Sequence, residues 1–521
     1  MATITNLTGQ QFLPNSPEYP LWQWQYATST FAASHDMRPG LIVQPADKTD
    51  IKRVIAYAKA HGTAISIRSG GHHYSGASST GPANIQLDLR STFQGPEDLV
   101  YVEKGGSSFV RASVSHSVGE FNEFLGEHHA FVPHGQCRQV FLGGHVQTGG
   151  YGQLIRAFGL LGDHIRALEI IDCDGRERTI TQRSDPEMFF AWLGGSPGNL
   201  GVLTHVLMEV YRDADYNGSI GIRAVHRYDA EKLRTLLGYL AEMSDDENFP
   251  RNYDLCIGVL SSPGGIDDGL DVYMREEHPE IFGEDGFPAW PRSMIMIYAQ
   301  YVPFSPEDKP DMDFFERLRT GCFMSTPLEE TPMSELTTQW IFQNRREFDL
   351  PYAKRTYSTR STTLATNGWV GWVVERIDEI ARVSPENGQW VSAQVQCLGG
   401  KQSMFRRNAE NGTSFSWRDT TMAMTIDNFH KPEKRAEAEA WQARNDRQAL
   451  GPDGIFSKHD RRLLWGAYGS FDLDAVWPTY YENRRKYERL MRARSKADPH
   501  GTFTPNAFCV KRAEVSVLSA L

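Results

Sequence analysis

The stretch Arg68-Ser-Gly-Gly-His-His-Tyr-Ser-Gly76 follows directly on the apolar run Thr63-Ala-Ile-Ser-Ile. That run reads as a strand, and the segment before it reads as a helix. Ile51, Val54, Ile55 and Ala58 recur at i, i+3, i+4 and i+7, with Thr49 or Asp50 as the cap and Gly62 as the stop. A helix–strand unit therefore delivers two glycines and two histidines to a strand end. Three more glycine-bearing stretches lie nearby: 143–152 (GGHVQTGGYG), 158–164 (FGLLGDH) and 193–201 (LGGSPGNLG). Glycine lets backbone N–H groups crowd around an anion, because no Cβ blocks the approach. One such loop is a plain turn as often as not. Four within residues 68–201 point to a large phosphate-bearing cofactor. None is a GxGxxG opening a helix after a strand, and no GxxxxGK[ST] occurs, so Rossmann and P-loop sites are not indicated.

Around this region the alternation continues. Residues 84–89 (NIQLDL) alternate as a half-buried strand, residues 168–181 read as a hairpin turning at Asp174-Gly175, and residues 201–211 form a long strand. A polar shift near residue 213 marks a first boundary. Residues 214–460 mix strands, helices and loops rich in Pro, Gly and Asp. Residues 478–499 read as one helix with Tyr480, Tyr487, Leu490 and Met491 near one face, stopped at Asp498-Pro499.

The chain has 521 residues, 40% hydrophobic and 23% charged, which suits an ordered globular protein of two or three domains. Its net charge of -11 argues against nucleic acid as a partner. No apolar run approaches a membrane span, and no signal peptide is visible, so a cytoplasmic protein is expected. The six cysteines show no CxxC pair, and His128, His129 and His164 lack metal-ligand spacing; no metal is expected.

The motifs RSGGHHYSG, GQCRQVFLGGHVQTGGYGQLIRAFGLLGD and GGSPGNLGVLTHV resemble the FAD-binding motifs of the vanillyl-alcohol-oxidase superfamily. The closer resemblance is to its berberine-bridge-enzyme-like branch, which includes carbohydrate oxidases. The resemblance implies an α+β fold: a two-part FAD-binding domain of PCMH type, plus a substrate domain whose antiparallel sheet is covered by helices. The expected division is 1–212, 213–472, and a C-terminal segment 473–521 returning to the FAD domain. The resemblance also implies FAD bound bicovalently, through His72 to the 8α-methyl and through Cys137 of the GxCxxV motif to C6. An imidazole nitrogen and a thiolate can each add at those positions. The blander alternatives, a small buried thiol at Cys137 and a hydrogen-bonded loop histidine at His72, are disfavoured by the specificity of the surrounding motifs. Arg68, Ser69, Gly70, Gly71, His73, Gly143, Gly144, His145, Gly149, Gly150, Gly152, Asn199, Gly201 and Val202 are expected to line the cofactor, with Arg156, Gly159 and Asp163 as supports.

Hydride leaving an alcohol carbon requires a base for the hydroxyl proton. The branch places a tyrosine there, and residues 465–472 (WGAYGSFD) nominate Tyr468, which could also be a core aromatic. Tyr74 is expected near the ring and substrate. The branch's Gln-x-Asp before Gly-Gly appears as Gln394-Val-Gln396, so an amide replaces the carboxylate. Either another group assists Tyr468, or the substrate hydroxyl is already acidic, as in a phenol or hemiacetal. Two readings follow: an oxidase of sugar or polyol substrates passing electrons to O2, and a secondary-metabolite tailoring enzyme acting on phenolic or polycyclic substrates.

Overall fold

The computed structural model describes residues 1–23, 36–73, 76, 78–261, 293–341, 351–383, 387–450, 454–455 and 473–513. Among these residues three sheets carry the fold, a mixed α+β architecture. The first comprises β1 (Gln10–Phe12), β2 (Leu41–Gln44), β3 (Ile65–Arg68) and β4 (Ile85–Asp88), in the order β1-β2-β4-β3. β2 and β3 both pair in parallel with β4. The expected half-buried alternation of β4 is therefore not found. As a central parallel strand it is buried on both faces, including Gln86 and Asp88.

The helix Lys48–His61 lies before β3, with Ile51, Val54, Ile55 and Ala58 buried and Gly62 ending it at φ 62°. Its cap is Asp47, whose side chain accepts from Asp50 N at 2.9 Å, rather than Thr49 or Asp50. Asp50 is committed elsewhere: it accepts N–H groups of Thr8, Gly9 and Ala46, which ties the N-terminal residues to this layer.

The second sheet contains β5 (Leu99–Lys104), β6 (Ser107–Ser113), β7 (Ala130–Phe131), β8 (Ile165–Ile171), β9 (Glu177–Ile180) and β10 (Val202–Arg212). Its order is β5-β6-β10-β8-β9, with β7 beside β10. β8 and β9 form the expected hairpin. The third sheet is antiparallel: β11 (Ile220–Arg227), β12 (Tyr253–Ser261), β13 (Ser293–Tyr301), β14 (Met324–Ser325), β15 (Tyr352–Thr359), β16 (Gln389–Cys397) and β17 (Met422–His430), ordered β14-β11-β13-β12-β16-β17-β15. One of its faces packs on the helices Ala230–Asp245 and Trp369–Ala381 through Leu255, Ile257, Ile297, Val395, Leu236 and Val373. The other face meets the rest of the chain through Met294, Met296 and Tyr298 against Phe131, Leu154, Ala157 and Phe158.

The C-terminal region is two helices, Leu473–Tyr480 and Arg484–Ala497, not one. Asn483 interrupts the pattern because its side chain accepts from Lys486 N at 2.9 Å and so caps the second helix. The chain then returns beside β3, where Ile65 N donates to Thr502 O and Thr80 Oγ1 donates to Pro505 O.

Arg156, fully buried, joins the two halves. Its guanidinium donates to the carbonyls of Phe249, Pro250, Tyr253 and Gly399. A buried carbonyl stripped of its donor costs roughly 1–3 kcal/mol. Arg156→Met should therefore lower unfolding free energy by at least ~3 kcal/mol, read from the urea midpoint at unchanged m.

Candidate active site

β3 ends at Arg68 and releases the loop that carries the two histidines. Gly71 turns it at φ 71°, a conformation that suits glycine. The loop presses against the segment that carries Cys137. A Cβ on Gly70 would lie 2.9 Å from the Phe141 ring, 3.0 Å from Gln139 O and 3.1 Å from Phe141 N; one on Gly143 would lie 3.0 Å from Ser69 Oγ. The cysteine segment is held from the other side too. Val118 N donates to Val140 O and Gly119 N to Arg138 O, both from the start of the helix Val118–Glu127. His72 and Cys137 are both half-buried on these two abutting segments.

Gly143, Gly144 and His145 are not in a loop after a strand, as the sequence suggests, but in the short helix Leu142–Thr148. His145 points back toward the cysteine segment: its Nε2 accepts from Gly135 N at 2.9 Å. Burial pushes it down to about 3, so it stays neutral and acts as an acceptor that fixes the approach to Cys137. His134 Nε2 meets Asn122 Oδ1 at 2.9 Å, and burial lowers it to about 4. Several glycines serve chain-to-chain packing. A Cβ on Gly152 would lie 2.0 Å from His134 O, and one on Gly150, 2.5 Å from Leu161. Gly144, by contrast, faces open space. Gly149 and Gly150 turn at φ 112° and 70°.

Arg68 is fully buried, donates to Trp22 O at 2.6 Å, and lies 3.5 Å from Asp88. Burial lowers it to about 10 against the pull of Asp88. The Asn199 side chain belongs to the returning C-terminal segment: it donates to Phe503 O and accepts from Val510 N. Gly201, at φ 138°, brings the chain to within 2.8 Å (for a Cβ) of Ile171 O, where Val202 begins β10.

The third sheet supplies the facing wall. Gln394 and Gln396 share a face of β16, as period-2 geometry requires. Gln394 Nε2 donates to Gln136 Oε1 at 2.6 Å, linking the sheet to the neighbour of Cys137, and lies 3.4 Å from Cys256 Sγ. Gln396 Nε2 donates to Gly152 O. The same face continues through Thr425 and Thr356, whose hydroxyls are 3.3 Å apart, to the buried pair Lys354–Asp427 at 2.9 Å. Gln136 and Cys256 were not singled out from the sequence. The signal for Cys256 was present: Asp254, Cys256 and Gly258 interrupt an apolar strand at alternate positions. Tyr74 and Tyr468 lie outside the described residues.

Beside the histidine loop a cleft opens between His73, Tyr151, the Gly194–Pro197 loop, Trp417, Tyr480 and Phe508. His73 stacks at a tilt on Phe508, with ring centroids 4.8 Å apart, and burial lowers it to about 4. Among the described residues its Nδ1 and the Nε2 of Gln136 are buried without a partner. Such orphaned polar atoms beside His72 and Cys137 suit a bound group rich in carbonyls and ring nitrogens.

Residues 39–181 match the FAD binding domain family. Berberine bridge enzyme-like 16 of Arabidopsis thaliana is 32% identical over 468 residues, 88% of this chain and 80% of that protein. The chain belongs to the berberine bridge enzyme-like family. It is an FAD-linked oxidoreductase of the vanillyl-alcohol-oxidase superfamily. A shorter similarity, to berberine bridge enzyme-like 12 of the same plant (34% identical), spans 33% of this chain and 32% of that protein. An aclacinomycin-N/aclacinomycin-A oxidase of Streptomyces galilaeus is 31% identical over 175 residues, 32% of this chain and 31% of that protein. Among solved structures, glucooligosaccharide oxidase from Acremonium strictum, described with a 6-S-cysteinyl, 8α-N1-histidyl FAD, superposes with a TM-score of 0.69 at 14% identity, covering 97% of each chain. No helix among the described residues is long and apolar enough to cross a membrane.

Gly70→Ala should separate the two segments, because its Cβ meets backbone that cannot rotate away. Overpacking of this kind costs about 1–3 kcal/mol. The purified variant should show a lower ratio of flavin to protein absorbance with an unchanged far-UV circular dichroism spectrum.

Proposed function

We propose that this protein is an oxidase whose FAD is tethered through His72 and Cys137, and that it takes hydride from a hydroxylated carbon of a small substrate. The observation that carries the reading is the abutment of the two segments bearing these residues, with Gln136 and Gln394 joining them to the third sheet. A flavin held by His72 and Cys137 would supply the two-electron acceptor for that hydride, with O2 as the final acceptor and hydrogen peroxide as the product. The chain's own residues do the rest. Residues 1–212 carry the cofactor, residues 213–472 present the substrate wall, and residues 473–521 close on the first part. Gln394 orients the substrate from β16. Tyr468 takes the hydroxyl proton, with Tyr74 the next candidate for that role. Gln396, committed to Gly152 O, positions the glycine loop and supplies no charge.

A sugar or polyol is the first substrate class, supported by the fold shared with glucooligosaccharide oxidase. A second reading has its own support. No carboxylate stands at position 396, so a substrate hydroxyl that is already acidic, on a phenol or polycycle, needs less help from Tyr468. The similarity to the aclacinomycin oxidase points the same way.

Acid precipitation tests the tether. The flavin should remain with the precipitated wild type and with His72→Ala or Cys137→Ala alone, and should be released only by the double substitution. Free FAD from the wild type would end the proposal. General-base help is typically worth ~10²–10⁴-fold. Tyr468→Phe should slow anaerobic flavin reduction by about that factor while leaving the visible spectrum intact.

A further inference from the structure

A carboxyl is buried where the two halves of the molecule meet. Asp254 lies on β12, on the face that looks toward the helix Ile155–Phe158, and is 1% exposed. Cys256, two residues on and on the same face, packs in the apolar cluster of Leu154, Ala157, Phe158, Met296 and Tyr298. The hydrogen bonds it accepts, from Arg156 N and Ala157 N, are both 3.4 Å long. Arg156 is the cation whose charge acts on it, but that guanidinium is spent on four carbonyls. The other titratable groups that feel Asp254 are the Cys256 and Cys397 thiols, whose burial pushes them upward and keeps them neutral.

Directly across the strand pair stands Gln300. It is fully buried, and among the described residues neither its Oε1 nor its Nε2 has a partner. Residues in register on antiparallel strands share a face, with Cβ atoms about 5 Å apart. A carboxamide can offer its oxygen to the O–H of a carboxylic acid, or its N–H to a carboxylate. Gln300 makes neither bond to Asp254 in this structure, and the burial of the carboxyl favours the neutral acid. Burial outweighs the pull of Arg156 and raises Asp254 to about 7.

We propose that Asp254 is a proton-operated clamp: as the neutral acid it holds the segment Gln153–Phe158 on the third sheet, and on losing its proton it loosens that contact. The clamp reaches the candidate active site through one residue row. Gln396, the strand partner of Cys256, holds Gly152 O just ahead of the clamped segment. The clamp bears on the regulation of the proposed oxidase site, but its test reads stability and amide exchange, in which oxidation chemistry plays no part.

The direction follows from linkage. An unfolded aspartate titrates near ~3.9. The folded chain therefore keeps a proton that the unfolded chain has released between about 4 and 7. The resulting stabilisation is complete at low pH and is lost as pH rises through the folded value. Asp254→Asn preserves size and cannot titrate. In thermal unfolding of the full-length protein between about pH 4 and 9, the wild-type Tm should fall relative to the variant as pH rises from about 4 to 7, with no further relative change above 7. Amide exchange of the peptide covering Gln153–Gly159, corrected for intrinsic rate, should accelerate up to about tenfold per pH unit between about pH 4 and 7 and level off above 7, in wild type alone. Parallel Tm curves, or equal exchange behaviour in both proteins, would overturn the clamp. If the variant does not fold, wild-type exchange decides: pH-independent corrected exchange of this peptide overturns the proposal.

Discussion

The close approach of Gly70 to the backbone of Gln139 and Phe141 is the constraint on which the arrangement depends. Two segments about 70 residues apart in sequence come within van der Waals contact because Gly70 presents no Cβ to the Phe141 ring and the backbone beside it. Around that contact the remaining glycines and histidines fall into place. His145 accepts from Gly135, Gly152 nestles under His134 O, and the start of the helix Val118–Glu127 grips the far side of the cysteine segment. Each is a short-range packing or hydrogen-bonding event. Together they leave His72 and Cys137 half-buried on neighbouring strands of chain, with Gly144 facing open space.

A second dependence runs between the halves. The third sheet uses its apolar face against helices and its mixed face against the rest of the molecule, so polar side chains are buried at the junction. The burial of Arg156 is tolerable because its planar fork finds four carbonyls. The burial of Lys354 is tolerable because Asp427 stands opposite it in register. Where the pairing is incomplete, at Asp254 and Gln300, the junction keeps a group whose charge depends on pH. Interiors of this kind are high-stakes: a satisfied network sets one docking geometry, and an unsatisfied member leaves that geometry responsive.

Local signals read well where a single principle dominates. The 3.6-residue spacing of Ile51, Val54, Ile55 and Ala58 and the positive-φ stop at Gly62 made the helix before β3 legible. Asp174-Gly175 made the β8–β9 hairpin legible. The readings that failed did so where tertiary partners overrode the local pattern. Asp50 is drawn away from capping by the N–H groups of Thr8 and Gly9. β4 is buried on both sides because parallel neighbours flank it. The last helix breaks in two because Asn483 offers a better cap than continuation. The stretch containing Gly143 and Gly144 winds as a helix, with Ser69 packed where a Gly143 side chain would stand and open space beside Gly144.

The amino-acid sequence by itself determined the family, the residues that could carry a flavin, and the departure at Gln396, because motif chemistry depends on residue types at fixed short spacings. Only the tertiary structure decided what stands opposite them. Gln136 meets Gln394 and Gln396 meets Gly152 O across more than 240 residues of chain. No local periodicity encodes the register that places Asp254 against Gln300 or against the helix that follows the glycine loop. Those encounters arise from sheet pairing and from the docking of one half on the other, which only the folded chain as a whole specifies.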